Sequence, residues 1–165
     1  MKNLVKILIA GVASLSVAPA ASAGTFSPTP GTTAYAASLQ VRKLLTLQCE
    51  FTADITSNGT ITTNPSTTGT FVTNVTLAAG DSNCDNVAFT NFNWPVTSVS
   101  GTTVQFNNVG VVGITGNCAG TLRANLSGGV ITFSHANTIP STSGFGNCSL
   151  SGTATTSPTA SYTYP

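Results

Sequence analysis

The sequence predicts an all-β protein, a single disulfide-stapled antiparallel β-sandwich with Greek-key-like connections. Three observations predict it. The chain is dominated by Thr, Ser, Asn and Gly, which disfavour helix interiors, while Thr favours strands. Several short segments alternate apolar and polar residues. Four cysteines, an even number, stand far apart along the chain. Short alternating segments separated by turn signals at this spacing imply roughly seven to ten strands in one sandwich.

The alternation is clearest in three places. In CEFTADIT (49–56), Phe51, Ala53 and Ile55 fall on one face. In TFVTNVTL (70–77), Phe71, Val75 and Leu77 share a face with Thr73, and in CAGTLRANL (118–126), Leu122, Ala124 and Leu126 do so. This period of two marks a half-buried strand. Turn formers punctuate the runs: SNGT at 57–60, NPSTTG at 64–69, AAGDSN at 78–83, SG at 100–101 and SGG at 127–129. AYAASLQVRKLL (34–45) is the one stretch compatible with a helix, and its content also permits a strand.

Three segments are expected. Lys2 and Lys6, the apolar run Leu4 to Val17 and the small-residue site Ala21-Ser22-Ala23 have the form of a secretory signal peptide over residues 1–23. Its removal leaves 142 of the 165 residues, enough for one core. Residues 24–38 contain Pro28 and Pro30 without apolar periodicity and read as an extended arm. Residues 39–165 form the sandwich domain. The expected location is secreted, extracellular or on a bacterial cell surface, reached through the periplasm. No later segment is apolar enough for an integral membrane helix.

Without Lys2 and Lys6 the cations are Arg42, Lys43 and Arg123, against Glu50, Asp54, Asp81 and Asp85, a balance of −1. So weak a charge excludes a basic nucleic-acid-binding face. It also favours self-association or contact with other weakly hydrated surfaces. In an oxidising compartment Cys49, Cys84, Cys118 and Cys148 form two disulfides. Three pairings can be drawn. Cys49–Cys84 with Cys118–Cys148 is expected, because each loop then encloses one strand pair. Spacings of 35, 34 and 30 residues lack the close pairs of a metal site, so no metal or cofactor is expected.

Catalytic machinery is equally hard to assemble. His135 is the sole histidine, and it follows the strand-like VITFS (130–134), where a solvated strand end is the expected setting. Glu50 and Asp54 on one strand lie about 13 Å apart, too far for a glycosidase pair. No nucleophile elbow, zinc-protease motif or phosphate-cradling loop is present. The chain is therefore expected not to be an enzyme. The candidate contact for a hydrophobic partner is the aromatic knot of Phe89, Phe92 and Trp94, in TNFNWP. In a regular strand Phe89 falls on one face and Phe92 and Trp94 on the other. Pro95 makes the segment an edge, a bulge or a strand start. Trp94 then either fills the core or grips a partner.

The order of these motifs resembles a known family. A signal peptide and a Pro/Thr-rich start precede Cys49, which opens CEFTADIT. A Thr-rich hairpin leads to Cys84, followed by the aromatic-Trp-Pro element at Trp94-Pro95. NNVGVVGITGNC then leads to Cys118, and Cys148 stands before SLSGT. This pattern, over most of residues 39–155, resembles the small secreted proteins that activate alkane oxidation in hydrocarbon-using bacteria. Asn93 departs from it, standing where the family is expected to carry an apolar residue, and the N-terminal arm is unusual. The resemblance implies a secreted, non-enzymatic protein that promotes hydrocarbon uptake or oxidation at a cell–oil interface, and it carries over no catalytic residues. The competing expectation is a structural subunit of an extracellular fibre, with residues 24–38 donated as a strand to the next subunit.

Overall fold

A computed structural model describes residues 22–165, so the expected signal peptide lies almost wholly outside the described residues. The strands are β1 (Ala23–Ser27), β2 (Gly31–Lys43), β3 (Leu45–Ser57), β4 (Thr60–Thr62), β5 (Thr70–Gly80), β6 (Ala88–Thr90) and β7 (Trp94–Ser98). They continue as β8 (Thr103–Gly113), β9 (Gly116–Ser127), β10 (Val130–Phe133), β11 (Thr138–Ile139), β12 (Cys148–Ser157) and β13 (Ser161–Tyr162), with one 3-10 turn at Cys84–Asn86.

The fold is all-β, as predicted, but the sandwich is not what forms. Strands β2, β3, β5, β7, β8, β9, β10 and β12 pair in sequence order, each antiparallel to the next, and β12 pairs back onto β2. The result is a closed eight-stranded barrel. Its connectivity is an up-and-down meander, so the Greek-key expectation is corrected as well. The two architectures differ mainly in whether the sheet closes on itself. Ser149–Ser151 pair with Gln40–Arg42, and Val96–Ser98 pair with Val104–Phe106, and these ladders complete the circuit. Alternating strands satisfy either architecture equally, which is why the pattern did not separate them.

Eight strands leave an interior just wide enough for side chains to fill. Small residues, Ala34, Ala36, Ala53, Ala124 and Ala154, make room for Phe51, Phe106, Phe133 and Trp94. Phe51 and Phe133 meet edge to face at 5.9 Å between ring centres. The predicted inner faces of β3 and β9 are the observed ones: Phe51, Ala53, Ile55, Leu122, Ala124 and Leu126 are all buried. In β5 the prediction holds for Val75 and Leu77 and fails for Phe71. The register against β3 shifts between Asp54 and Ile55, and Thr73 is the extra residue. This bulge brings Val72 and Val75 into the core together, while Phe71 is only half-buried.

Residues 24–38 do not form a free arm. Gly24–Ser27 belong to β1, which pairs with β4 and β13, and β2 runs unbroken through the expected boundary at 38/39. The stretch 34–45, compatible with a helix by composition, lies in β2 and the turn into β3 because its backbone is paired on both sides. Phe26, Ile61 and Ala160 are buried beside β1 and β4 and seal this end of the barrel.

The opposite end is stapled. Cys49–Cys84 and Cys118–Cys148 are both formed, with Cα–Cα distances of 5.7 and 6.1 Å. The first ties β3 to the 3-10 turn, where Cys84 packs with Val41 and Leu47. The second ties the start of β9 to the start of β12. By loop length each contributes about 3–4 kcal/mol.

Candidate functional site

The aromatic knot lies mostly inside the barrel. β6 and β7 act as one interrupted strand against β8, and Asn91 and Asn93 between them have positive φ of 61° and 67°. Asn tolerates this conformation better than most residues. Two left-handed residues break the alternation, so Phe89 and Trp94 are buried together instead of on opposite faces. Their rings meet edge to face at 5.6 Å, and the Trp94 indole N–H donates to the Thr90 carbonyl at 2.8 Å. Phe92 is half-buried and stacks on Trp94 at 5.4 Å. The tryptophan is thus core, with Phe92 its partly exposed cover. Asn93, the residue that departs from the expected pattern, is one of the two that turn the chain.

The exposed apolar surface is elsewhere, at the stapled end. The β2–β3 turn presents Leu44 and Leu45, which are 62% and 47% exposed, and the β8–β9 turn presents Ile114 at 50%. The long connection from β11 to β12 presents Phe145 at 83%. Val112 is exposed beside Ile114. In the barrel order β2 and β8 stand opposite each other, yet their turns meet over the mouth: the Thr115 hydroxyl donates to the Lys43 carbonyl at 2.8 Å. The third loop locks onto both. Asn117 N–H donates to the Ser143 hydroxyl at 2.9 Å, and Gly146 packs against the Leu44 side chain. Gly144, at φ +75°, comes so close to Thr115 that a Cβ would stand 2.3 Å from the Thr115 carbonyl oxygen. Only glycine fits there.

Lys43 is the hub of this assembly. Its side chain is buried, and its ammonium donates to the Asn117 carbonyl at 2.8 Å, the Ser141 hydroxyl at 2.9 Å and the Ser143 carbonyl at 2.6 Å. All three partners are neutral. One cation therefore gathers the loops that carry Leu44, Ile114 and Phe145 into a single apolar crown.

Beneath the crown the barrel holds little space. A crevice of about 30 Å³ runs between Leu45, Leu47, Val87, Val111 and Ile114. The interior cavity below it, among Phe51, Trp94, Phe106 and Phe133, is about 20 Å³ and wholly apolar. Pockets that enclose a small organic ligand run to roughly 300–1,000 Å³. The barrel interior is packed, and its large exposed apolar side chains at this end lie on the outside, in the crown.

The remaining candidates are held in hydrogen-bond networks. His135 is half-buried rather than solvated. Its Nδ1 lies 3.0 Å from the Ser149 hydroxyl, and its Nε2 meets the Ser151 hydroxyl at 2.7 Å and the Gln40 side-chain oxygen. No carboxylate is among these partners to orient the ring, as a nucleophile–base set requires. Asp54 accepts from Thr33 at 3.1 Å and Asn74 at 3.3 Å on the barrel wall, and Asp81 accepts from the Gln48 N–H at 2.8 Å. Tyr162, at the far end, donates to the Ser100 carbonyl at 2.7 Å, and burial raises its pKa above the ordinary 10.0.

Reasoning from sequence missed the crown, although its signal is present. Turns normally carry Gly, Asn, Asp, Ser and Pro. KLLT at 43–46, GITG at 113–116 and SGFG at 143–146 each place large apolar residues in a turn. Such a residue at a turn tip is left exposed instead of filling the core.

No curated protein and no solved structure matches the chain. A family model described as alkane oxidation protein activator PraA/PraB-like matches residues 1–164 of the 165. With a match over essentially its whole length, the chain belongs to the PraA/PraB-like family of alkane oxidation protein activators.

Proposed function

We propose that this protein is a secreted, non-enzymatic accessory factor that promotes hydrocarbon uptake or oxidation by adsorbing at an oil–water interface through its crown. One observation carries the reading: large apolar side chains are concentrated on three turn tips held together at one end of a packed barrel. Moving such a side chain from water into oil is worth about 1.5–3 kcal/mol when burial is complete. Several tips act together against the cost of immobilising the protein at a surface, and because Lys43 and the disulfides already fix the loops, little further ordering is added to that cost. The hydroxyl-rich wall stays wetted, which orients the molecule. The paired cysteines fit an oxidising compartment. A fibre built by donating residues 24–38 would first have to unzip β1 and the start of β2 from their own sheet.

The test is adsorption to hexadecane droplets, read by depletion of protein from the aqueous phase and by interfacial tension. The variant Leu44→Ser/Phe145→Ser should lose at least tenfold in adsorption affinity while keeping its thermal stability within a few degrees. Undiminished adsorption by a folded double variant would remove the crown from the mechanism.

A further inference from the structure

We propose that the crown crevice selects amphiphiles that carry one alkyl chain and an anionic head, with long-chain carboxylates as the type ligand. This rests on the crown as an apolar contact surface and adds a head-group preference to it. The charge distribution points to it. Of the three cationic side chains in residues 22–165, Arg42 and Lys43 both line the crevice. The Lys43 ammonium is buried among neutral carbonyls and a hydroxyl, so its charge is held in place without being cancelled. Arg42 is exposed, and its partners in the sheet are Ser149 and Thr46, neither of them anionic. Of the four acids, Glu50 and Asp54 lie along β3 on the wall, Asp81 is engaged by the Gln48 N–H, and Asp85 stands on the 3-10 turn.

Apolar walls around a cation concentrate its field. Here those walls are Leu45, Leu47, Val87, Val111 and Ile114. A small anion gains little at such a site in water, and a neutral alkyl chain gains nothing from the cations. An anionic amphiphile uses both features at once. At about 30 Å³ the crevice has room for one or two water-sized groups, so it seats a short stretch of chain. The rest of the chain lies over the exposed tips, and the head rests at the Arg42 guanidinium.

The experiment is calorimetric titration of the purified protein with dodecanoate and with dodecanol, both below their aggregation limits, at slightly alkaline pH and low salt. Dodecanoate should bind about three- to fivefold more tightly, the size of an exposed guanidinium–carboxylate contact. The preference should shrink at high salt. Arg42→Gln, a change at an exposed position, should abolish the preference and leave dodecanol binding unchanged. Equal affinity of the wild type for the two probes, or a preference that survives Arg42→Gln, would overturn the proposal. Adsorption to hexadecane droplets is measured on the same samples and separates the two readings. Arg42→Gln should leave it intact, and its absence in the wild type would count against the interface function whatever the head-group preference.

Discussion

The two ends of the barrel solve the same problem in opposite ways. At the end formed by β1, β4 and β13, the connections at 57–60, 100–103 and 127–129 are Ser, Asn, Gly and Thr, and the apolar side chains Phe26, Ile61 and Ala160 turn inward to seal the core. Val99 and Tyr164 are its exposed apolar side chains. At the other end the seal relies on covalent bonds and on hydrogen bonds from a buried cation. Two disulfides and the buried Lys43 ammonium hold the turns together, which leaves Leu44, Leu45, Ile114 and Phe145 unneeded for closure and facing water. An end held by disulfides and hydrogen bonds can leave its large apolar turn residues exposed, whereas the packed end uses most of its apolar side chains for closure and exposes fewer.

The sharpest way to break this comparison is to attack what both ends share. Trp94→Ala should cost about 3–5 kcal/mol, measured by denaturant unfolding, because it empties the middle of the core. The protein that remains folded should still adsorb to oil. Next, Cys118→Ser/Cys148→Ser should cost about 3–4 kcal/mol. It should also raise hydrogen exchange selectively in the 140–147 loop and the β8–β9 turn. Uniform loosening of both ends would mean that the staple does not act locally. A smaller effect separates the tips by end: Phe145→Ser alone should weaken adsorption to hexadecane by about 1–2 kcal/mol, whereas Val99→Ser should leave it unchanged.

The smallest effect concerns pH. Burial raises the Tyr162 pKa above 10.0, so the fold favours the neutral phenol. Its contribution is fully present below that value and is lost as the pH rises through the folded-state pKa. The β1–β13 end should therefore loosen first in alkali, and Tyr162→Phe should flatten the alkaline limb of the stability profile.

The sequence disclosed individual strands better than their assembly. Phe51, Ala53 and Ile55, like Leu122, Ala124 and Leu126, alternate without interruption and were legible. Phe71 was misplaced because a bulge at Thr73 reverses the parity, and nothing in TFVTNVTL distinguishes a bulge residue from its neighbours. The knot was hidden by a similar device, two asparagines in left-handed conformation. Closure was not legible at all, since it depends on β12 returning to β2 across more than a hundred residues. The crown was legible in principle, because an isolucine-bearing turn such as GITG conflicts with turn chemistry. Its three pieces are far apart in sequence, and contacts such as the hydrogen bonds of Lys43, Thr115 and Asn117 bring them together only in the fold.

The closed circuit matters beyond the single molecule. A charge-poor β protein crowded on a droplet is a setting in which exposed strands pair between neighbours and set into a stiff skin. Here each long strand has a strand partner on either side over at least part of its length, although β5 beyond Val72 pairs with β3 alone, and β6, β11 and β13, which have one partner each, are only two or three residues long. A film of this protein should therefore stay fluid, with molecules free to leave and exchange. Under the proposed function, oil coated in this way would stay accessible to the cell that consumes it.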